Sequence, residues 1–245
     1  MRLRAALLCG LLFVAGCKPA ASDEDKRPPS ARLFPKADRP VSSPAGDSFS
    51  TEKARDDVRE AQTVMDLAMI QPGMTVADIG SGAGYYTVRL AERVGKKGRV
   101  LAEDIDRDAL ARLGSRVETD HLDNVSIKLG TEDDPKLPEG SFDRVFMVHM
   151  YHEVSEPYSF LWHLRPGLKP GGSAIVVETD RPTGQHGIPP KQLFCEFDHV
   201  GFRLVEFIRK PELAGYYARF EAVGNRPEPK QIQPCSKPGG AADST

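Results

Sequence analysis

The chain has 245 residues, of which 33 are lysine or arginine and 35 are aspartate or glutamate, giving a formal net charge of -2. This near balance, without a run of like charges, argues against nucleic-acid binding through a basic face, because phosphate affinity comes from clustered lysine and arginine. Hydrophobic residues make up 40%, as in globular proteins, and no apolar run approaches the roughly 20 residues of a spanning helix.

Residues 1–16 have the pattern of an export signal. Arg2 and Arg4 precede an apolar run at 5–16, which suits the centre of a signal peptide and is too short to span a bilayer. Small residues then lead to Cys17, and this sequence resembles the lipobox of bacterial lipoprotein signals. We therefore expect cleavage before Cys17, lipidation of its side chain and a membrane-anchored protein in the bacterial periplasm. The alternatives are an ordinary signal peptide with an incidental cysteine, or a cytoplasmic protein whose signal is not processed.

Composition divides the remaining chain into three parts. Residues 17–50 are rich in proline, serine, alanine and aspartate and show no apolar period, which predicts a flexible tether. Residues 51–225 form one domain that is large enough to bury a core. Residues 226–245 are predicted to be a disordered tail, for the same reason as the tether.

The cysteines give no metal-binding pattern. The four cysteines include no CxxC pair and no histidine-rich tract accompanies them, so we predict no metal ligands. Cys195 and Cys235 remain after export. The sequence leaves open whether they pair in an oxidising compartment or whether Cys195 is a small buried hydrophobe.

The domain begins with an amphipathic helix predicted over residues 51–70, capped by Thr51. Its apolar spacing predicts an inward side made by Val58, Ala61, Met65 and Ala68. After it, strands are predicted at 74–79, 99–103, 124–129, 141–148, 173–178, 202–208 and 216–223, and helices at 85–94, 106–117, 157–165 and 189–200. The alternation of strands and helices implies a parallel sheet with helices on both faces, and the last two strands imply an antiparallel hairpin.

The most informative stretch is residues 75–84, TVADIGSGAG, in which Asp78 ends a strand and three glycines follow at alternate positions. Gly80 is able to take a positive φ in a tight turn, and the later glycines let a ligand and the next helix approach the backbone. Tyr85 stands where the dinucleotide-binding fingerprint has its third glycine, which disfavours a nicotinamide oxidoreductase.

Two acids, Glu103 and Asp104, end the second strand. A carboxylate at this position can accept hydrogen bonds from both hydroxyls of a ribose. Because alternation places the two side chains on opposite sides of the strand, we favour Asp104 at the tip for this contact.

Together these features resemble the class I S-adenosylmethionine-dependent methyltransferases. Residues 129–134, LGTEDD, lie where the third strand of that family ends near adenine. Residues 137–143, LPEGSFD, resemble its lead-in to strand four, and residues 168–172, LKPGG, resemble its turn before strand five. The resemblance covers about residues 55–223. It implies an α/β, Rossmann-like methyltransferase fold with a seven-stranded, mostly parallel sheet, an antiparallel C-terminal hairpin and helices on both faces.

The resemblance also implies S-adenosylmethionine as the cofactor. It places four residues around the methionine half of the cofactor, namely Asp78, Gly80, Ser81 and Gly82. Asp104 would hold the ribose. Asp133, with Glu132 as the alternative, would contact the adenine amino group.

The methyl acceptor is expected at the end of the fourth strand. Methyl transfer is an in-line displacement, so the enzyme mainly aligns the nucleophile and excludes water, and a base is needed only if the nucleophile must lose a proton. We predict His152 as a catalytic base or substrate contact and Tyr151 as a wall of the pocket; alternatively, His152 caps a helix or packs against Trp162. His149 stands where these relatives more often have aspartate or asparagine. His186 belongs either to a lid or to a surface loop.

The leading hypothesis is therefore a methyltransferase with a small-molecule substrate, no nucleic-acid partner and membrane contact only through the lipid anchor. Export opposes this hypothesis, because S-adenosylmethionine is made inside the cell. The runner-up is an exported, membrane-tethered, non-catalytic binding protein that reuses the fold. The sequence leaves the substrate and the oligomeric state open.

Overall fold

A computed structural model describes residues 23–43, 51–213 and 215–236. Its strands, in chain order, are β1 Thr75–Ile79, β2 Arg99–Asp104, β3 Val125–Leu129, β4 Phe142–Val148, β5 Leu168–Glu178, β6 Phe202–Lys210 and β7 Gly215–Ala222. Its α-helices are α1 Asp23–Lys26, α2 Glu52–Asp57, α3 Glu60–Leu67, α4 Tyr85–Val94, α5 Arg107–Thr119, α6 Pro157–Leu164 and α7 Pro190–His199. The predicted signal peptide and Cys17 lie outside the described residues.

The strands form a seven-stranded sheet in the order β3-β2-β1-β4-β5-β7-β6. Strands β1 to β5 pair in parallel, and β7 runs antiparallel to both β5 and β6. The predicted fold class is confirmed, including the C-terminal hairpin. Strand order reverses between β1 and β4, and ligands bind beside the carboxyl ends of the strands at such a switch point.

The core consists of two apolar clusters, to which alternate residues of the central strands contribute. In β4, Val145 and Met147 belong to one cluster, with residues of α6 and α7, whereas Phe146 belongs to the other, with residues of α3 and α4. This period of two is what a sheet covered on both faces requires. No helix among the described residues has the length and apolar character needed to cross a bilayer.

The predicted helix at 51–70 is two helices. Thr51 caps α2 as predicted, accepting a hydrogen bond from Ala54 N–H at 3.2 Å. Arg59 then takes the left-handed conformation, with φ of 55°, and separates α2 from α3. Val58, predicted to face inward, is 44% exposed. The interruption has a tertiary cause, because α2 is held by polar contacts to α4 and α5 rather than by an apolar face.

Residues 23–43 differ from the predicted flexible tether. Arg39 donates to Glu196 at 2.7 Å, and the two side chains are 2% and 0% exposed. Arg27 and Glu156 form a second buried ion pair at 2.7 Å. Phe34 is buried against the core cluster of α6 and α7. The segment has no apolar period because paired charges, rather than a hydrophobic stripe, fix much of it to the domain.

Residues 226–236 also differ from the predicted disordered tail. Ile232 and Cys235 are buried, and Cys235 forms a disulfide with Cys195 of α7. The Cys235 N–H donates to the Tyr158 hydroxyl at 2.7 Å. The covalent link decides the question that the sequence left open, and it explains how a segment of low hydrophobicity stays on the domain surface.

Candidate functional site

The glycine turn after β1 has the geometry that its sequence predicts. Gly80, Gly82 and the later Gly84 have φ values of 66°, 53° and 92°, all in the region that favours glycine. A Cβ atom on residue 80 would lie 2.9 Å from Met150 Cγ, closer than packed carbon atoms approach. The turn therefore lies directly against the loop that follows β4.

Hydrogen bonds join the tips of β1, β2 and β3. Gly82 N–H donates to Asp104 Oδ2 at 2.8 Å, and Asp106 N–H donates to Asp104 Oδ1 at 2.9 Å. Gly130, after β3, donates its N–H to the Asp104 carbonyl at 3.1 Å. Each carboxylate oxygen has two lone pairs, so Asp104 keeps acceptor capacity for further donors. Its neighbour Glu103 points to the other side and is 2% exposed.

Two buried carboxyl groups beside the turn hold protons more tightly than usual. Burial raises the pKa of Asp78 to about 6, although the Thr87 hydroxyl donates to it at 2.6 Å. Burial, reinforced by the negative charges of Asp104 and Asp134, raises the pKa of Glu103 to about 8. A cation placed here would favour the ionised forms of both groups, so the cluster suits a positively charged ligand.

Buried polar atoms at the turn lack partners among the described residues. Ser81 Oγ and Glu103 Oε1 are inaccessible and accept or donate no hydrogen bond there. Buried polar groups are normally satisfied, because leaving one unpaired costs about 1–3 kcal/mol. Together with the glycine turn and the acceptor capacity of Asp104, the Ser81 hydroxyl fits a ligand that has both hydroxyl and amino groups, as S-adenosylmethionine has.

Asp133, predicted to contact adenine, is 3% exposed. Its carboxylate accepts from the Thr131 hydroxyl at 3.1 Å and from the hydroxyl of Ser30, which belongs to the N-terminal segment. The alternative, Glu132, is exposed and accepts from Ser155 Oγ at 3.3 Å. The N-terminal segment thus covers the adenine side of the predicted site.

Helix α2 covers the glycine turn. Glu52 pairs with Arg116 of α5 at 2.5 Å, and Arg116 also donates to the carbonyl of Ala83 at 3.3 Å. Asp56 accepts from the Tyr85 hydroxyl at 3.0 Å. These contacts hold α2 above the start of α4, which is why its residues show no inward apolar stripe.

On the β4 side, His152 is buried and paired with a carboxylate. Its Nδ1 lies 2.9 and 3.0 Å from the two oxygens of Glu178, and its backbone N–H donates to Glu178 Oε1 at 3.1 Å. Neither alternative considered from sequence, a helix cap or packing against Trp162, accounts for this pairing. Glu178 ends β5, so the contact joins the carboxyl ends of two adjacent strands.

Tyr151 is not a wall of the pocket. The side chain is fully buried, and its hydroxyl donates to Glu196 Oε2 at 2.7 Å. Burial, with the nearby charge of Glu196, raises the pKa of Tyr151 well above its usual range. The prediction failed because Glu196 and its partner Arg39 draw the phenol into the core, and neither residue is close to Tyr151 in the sequence.

The other two candidate histidines also have defined surroundings. His149 Nε2 lies 3.6 Å from Glu60 Oε1 of α3. Burial opposes ionisation of Glu60, but hydrogen bonds from His149 and Arg55 outweigh it and lower the pKa of Glu60 to about 2. The ring of His186 meets that of His152 edge to face, with centroids 5.7 Å apart. His186 is therefore a half-buried loop residue that packs against His152.

Sequence reasoning missed Glu178, Glu60 and Ser30. Glu178 had a usable signal, because it is an acid at the carboxyl end of a predicted strand, as Asp104 is. Ser30 and Glu60 had none, since their contacts come from segments far away in the sequence.

Comparisons with known proteins agree with this geometry. A family model described as "Methyltransferase domain" matches residues 76–172. A demethylmenaquinone methyltransferase from Bacillus cereus is 29% identical over 125 residues, which are 51% of this chain and 52% of the relative. A ubiquinone/menaquinone biosynthesis C-methyltransferase from Shewanella sp. is 30% identical over 129 residues, which are 52% of this chain and 50% of the relative. The chain thus spans about half the length of these curated relatives.

A solved structure extends the similarity to most of the domain. The crystal structure of a SAM dependent methyltransferase from Aquifex aeolicus superposes with a TM-score of 0.64 and 25% identity, covering 69% of this chain and 93% of that one. The matched segment and the fold are similar to those of S-adenosylmethionine-dependent methyltransferases, which use S-adenosylmethionine as their cofactor.

Proposed function

We propose that this protein transfers a methyl group from S-adenosylmethionine to a small-molecule acceptor. The observation that carries the proposal is the hydrogen bond from Gly82 N–H to Asp104 Oδ2, at 2.8 Å, which joins the glycine turn to the acidic tip of the next strand. The family match at residues 76–172 and the named methyltransferase relatives support the same activity.

Each predicted cofactor residue has a role that its geometry supports. Ser81 offers its unpartnered hydroxyl to the methionine half, and Gly80 and Gly82, which lack side chains, let that half approach the backbone. Asp104 accepts from the ribose hydroxyls, and the buried carboxyl of Asp78 orders the turn through Thr87. S-adenosylmethionine carries a sulfonium and an ammonium against one carboxylate, so its net positive charge suits this acidic surrounding. When bound, it supplies an electrophilic methyl group.

Contact between adenine and Asp133 requires movement of residues 23–43. The carboxylate is buried and accepts a hydrogen bond from Ser30. We infer that this segment opens to admit the cofactor and then closes over it, which would exclude water from the site. The buried pair of Arg39 and Glu196 would anchor the segment during that motion.

His152 would contact the acceptor. Glu178 fixes its ring through Nδ1, which leaves Nε2 as the nitrogen that faces outward from the pair. The loop of His152 also contains Met150, whose side chain packs against the glycine turn. The acceptor would therefore lie beside the methyl donor, as in-line transfer requires.

Calorimetric titration of the full-length protein with S-adenosylmethionine and with S-adenosylhomocysteine tests the proposal. We expect heat of binding with both, and at least about tenfold weaker binding by Asp104→Ala, because hydrogen bonds to a charged group contribute about 1.5–3 kcal/mol. Asp198→Asn, on the exposed side of α7, is the control and should bind as the parent does. Absence of binding by the parent protein would refute the proposal.

A second function, a non-catalytic binding protein, is favoured by the predicted export signal at residues 1–16. It predicts that S-adenosylmethionine or another nucleoside-like ligand binds without turnover. Mass spectrometry of the ligand that copurifies with the protein, followed by a methyl-transfer assay on that ligand, separates the two functions, since any methylated product excludes the second.

We also propose that the protein is exported and anchored through a lipid on Cys17. The disulfide between Cys195 and Cys235 supports an oxidising compartment. The test is membrane fractionation: Cys17→Ser should move the protein from the membrane to the soluble fraction. Unchanged fractionation would argue against lipidation.

A further inference from the structure

We propose that His152, Glu153 and His186 bind a divalent transition-metal ion, and that Zn²⁺ is the ion that this set of ligands fits. One potential ligand atom from each residue lies within 4.8 Å of the other two. Two imidazole nitrogens and one glutamate oxygen are a set of protein ligands that holds zinc while leaving a fourth position open. Sequence patterns do not indicate such a site, because its ligands come from loops after two different strands.

The pairing of His152 with Glu178 prepares its other nitrogen for a metal. A carboxylate only accepts hydrogen bonds, so Nδ1, at 2.9 Å from Glu178 Oε2, carries the proton. Nε2 then presents its lone pair, and it lies 3.8 Å from Glu153 Oε1. Metal-bound histidines commonly donate their second nitrogen to a carboxylate in this way, which fixes the tautomer and the ring orientation.

His186 is held in place by its backbone. Its N–H donates to Ser42 Oγ at 3.0 Å, and Ser42 in turn donates to the carbonyl of Thr183. His186 has a φ of 54°, a left-handed conformation that is unfavourable for a residue with a side chain and persists only where surrounding contacts impose it. The N-terminal segment therefore helps to set the position of the third ligand.

A second group of possible ligands, Cys195, His199 and Cys235, does not compete with this site. Both of its sulfur atoms are joined in the disulfide, and a metal ligand must be a thiolate. The cluster of His152, Glu153 and His186 keeps all three potential ligand groups in a form that can bind a metal.

The role of the ion rests on the proposed methyl transfer, whereas its binding does not. The site lies in the loops after β4 and β5, and Met150, two residues before His152, packs against the glycine turn. A zinc ion with an open coordination position polarises an oxygen group that binds there, and it lowers the pKa of that group. The ion would therefore replace His152 as the group that acts on the acceptor, and the acceptor class would be molecules with an ionisable oxygen.

Equilibrium dialysis of the full-length, non-reduced protein against Zn²⁺ tests the site, with Co²⁺ absorption in the visible range as a second readout. We expect about one Zn²⁺ per chain and a tetrahedral Co²⁺ spectrum. His186→Ala and Glu153→Gln should abolish both signals. Glu178→Gln should weaken Zn²⁺ binding about 10–100-fold, the usual effect of losing such an orienting partner.

The control is His121→Asn, which replaces an exposed histidine with a residue that tolerates its positive φ. It should bind Zn²⁺ as the parent does. Thermal unfolding of each variant distinguishes loss of the site from loss of the fold. Failure of the parent to bind Zn²⁺, or full binding by folded His186→Ala and Glu153→Gln, would overturn the inference. Loss of Zn²⁺ binding by Cys235→Ser, with binding retained by His186→Ala and Glu153→Gln, would also overturn the inference.

Calorimetry with S-adenosylmethionine in the presence of a chelator separates this inference from the proposed function. Binding of the cofactor without Zn²⁺ binding would remove the metal site and leave the proposed function standing. Zn²⁺ binding without cofactor binding would remove the proposed function and leave the metal site standing.

Discussion

Replacing Glu103 with glutamine should change how the stability of the protein depends on pH. Glu103 ends β2 with 2% of its surface exposed, and one carboxyl oxygen has no partner among the described residues. Burial and the negative charges around it raise its pKa from 4.5 to about 8. The folded protein therefore retains a proton that the unfolded chain releases above about pH 4.5.

The size of the effect follows from proton linkage. Below the unfolded pKa, both states hold the proton and the group has no effect on the pH dependence of stability. Between the two pKa values the folded state holds more protons, so the free energy of unfolding falls as pH rises, by about 1.4 kcal/mol per pH unit. From about pH 5 to about pH 7.5 this loss amounts to about 3 kcal/mol. Glutamine has no such proton, so Glu103→Gln should lack the decline.

Urea unfolding followed by circular dichroism at several pH values measures this difference. The free energy of unfolding of Glu103→Gln minus that of the parent should increase by about 3 kcal/mol between about pH 5 and about pH 7.5. Asp78 and other titrating groups are present in both proteins, so much of their contribution cancels. Glu118→Gln, on the exposed surface of α5, should follow the parent at every pH. Parallel pH profiles for Glu103→Gln and the parent would refute the assigned burial and protonation.

Three further predictions concern the anchors of the fold and the glycine turn. Glu196→Ala should lower the free energy of unfolding by about 3–5 kcal/mol in urea titration, because it leaves the buried charge of Arg39 unpaired. Asp57→Ala, in the exposed pair with Lys53, should change the free energy of unfolding little. Equal effects of the two substitutions would contradict the buried pair. Cys235→Ser should lower the free energy of unfolding by up to about 4 kcal/mol, because the disulfide spans a sequence separation of 40. The substitution should also expose the C-terminal segment to proteolysis, and unchanged protease sensitivity would show that other contacts hold the segment. Gly80→Ala and Gly140→Ala both place a side chain at a positive φ, 66° and 57°, which should cost each about 1 kcal/mol of stability. Only the first side chain meets Met150, so only Gly80→Ala should lose additional stability and cofactor binding in calorimetry; cofactor binding by both would argue against close packing at the turn.

Local sequence patterns are sufficient to predict the sheet and the geometry of the glycine turn. Strand and helix positions follow from local apolar periods, and the seven-stranded order agrees with the architecture that the family resemblance implies. The positive φ of Gly80 and the placement of Asp104 at a strand tip are also local consequences, because they depend on steric freedom and on alternation along one strand. These features need only a few neighbouring residues to be recognised.

The packing of residues 23–43 and 226–236 and the surroundings of the histidines depend instead on contacts between distant parts of the chain. Arg39 and Glu196 are 157 residues apart in the sequence, and they are buried together in the fold. The residues next to each of them in the sequence do not distinguish it from an ordinary surface charge. Tyr151 leaves the predicted pocket because it joins that pair. His186 meets His152 because β4 and β5 are neighbours in the sheet. Buried charges gain their partners from long-range packing, so the local period of apolar residues cannot predict which partner a charge will have.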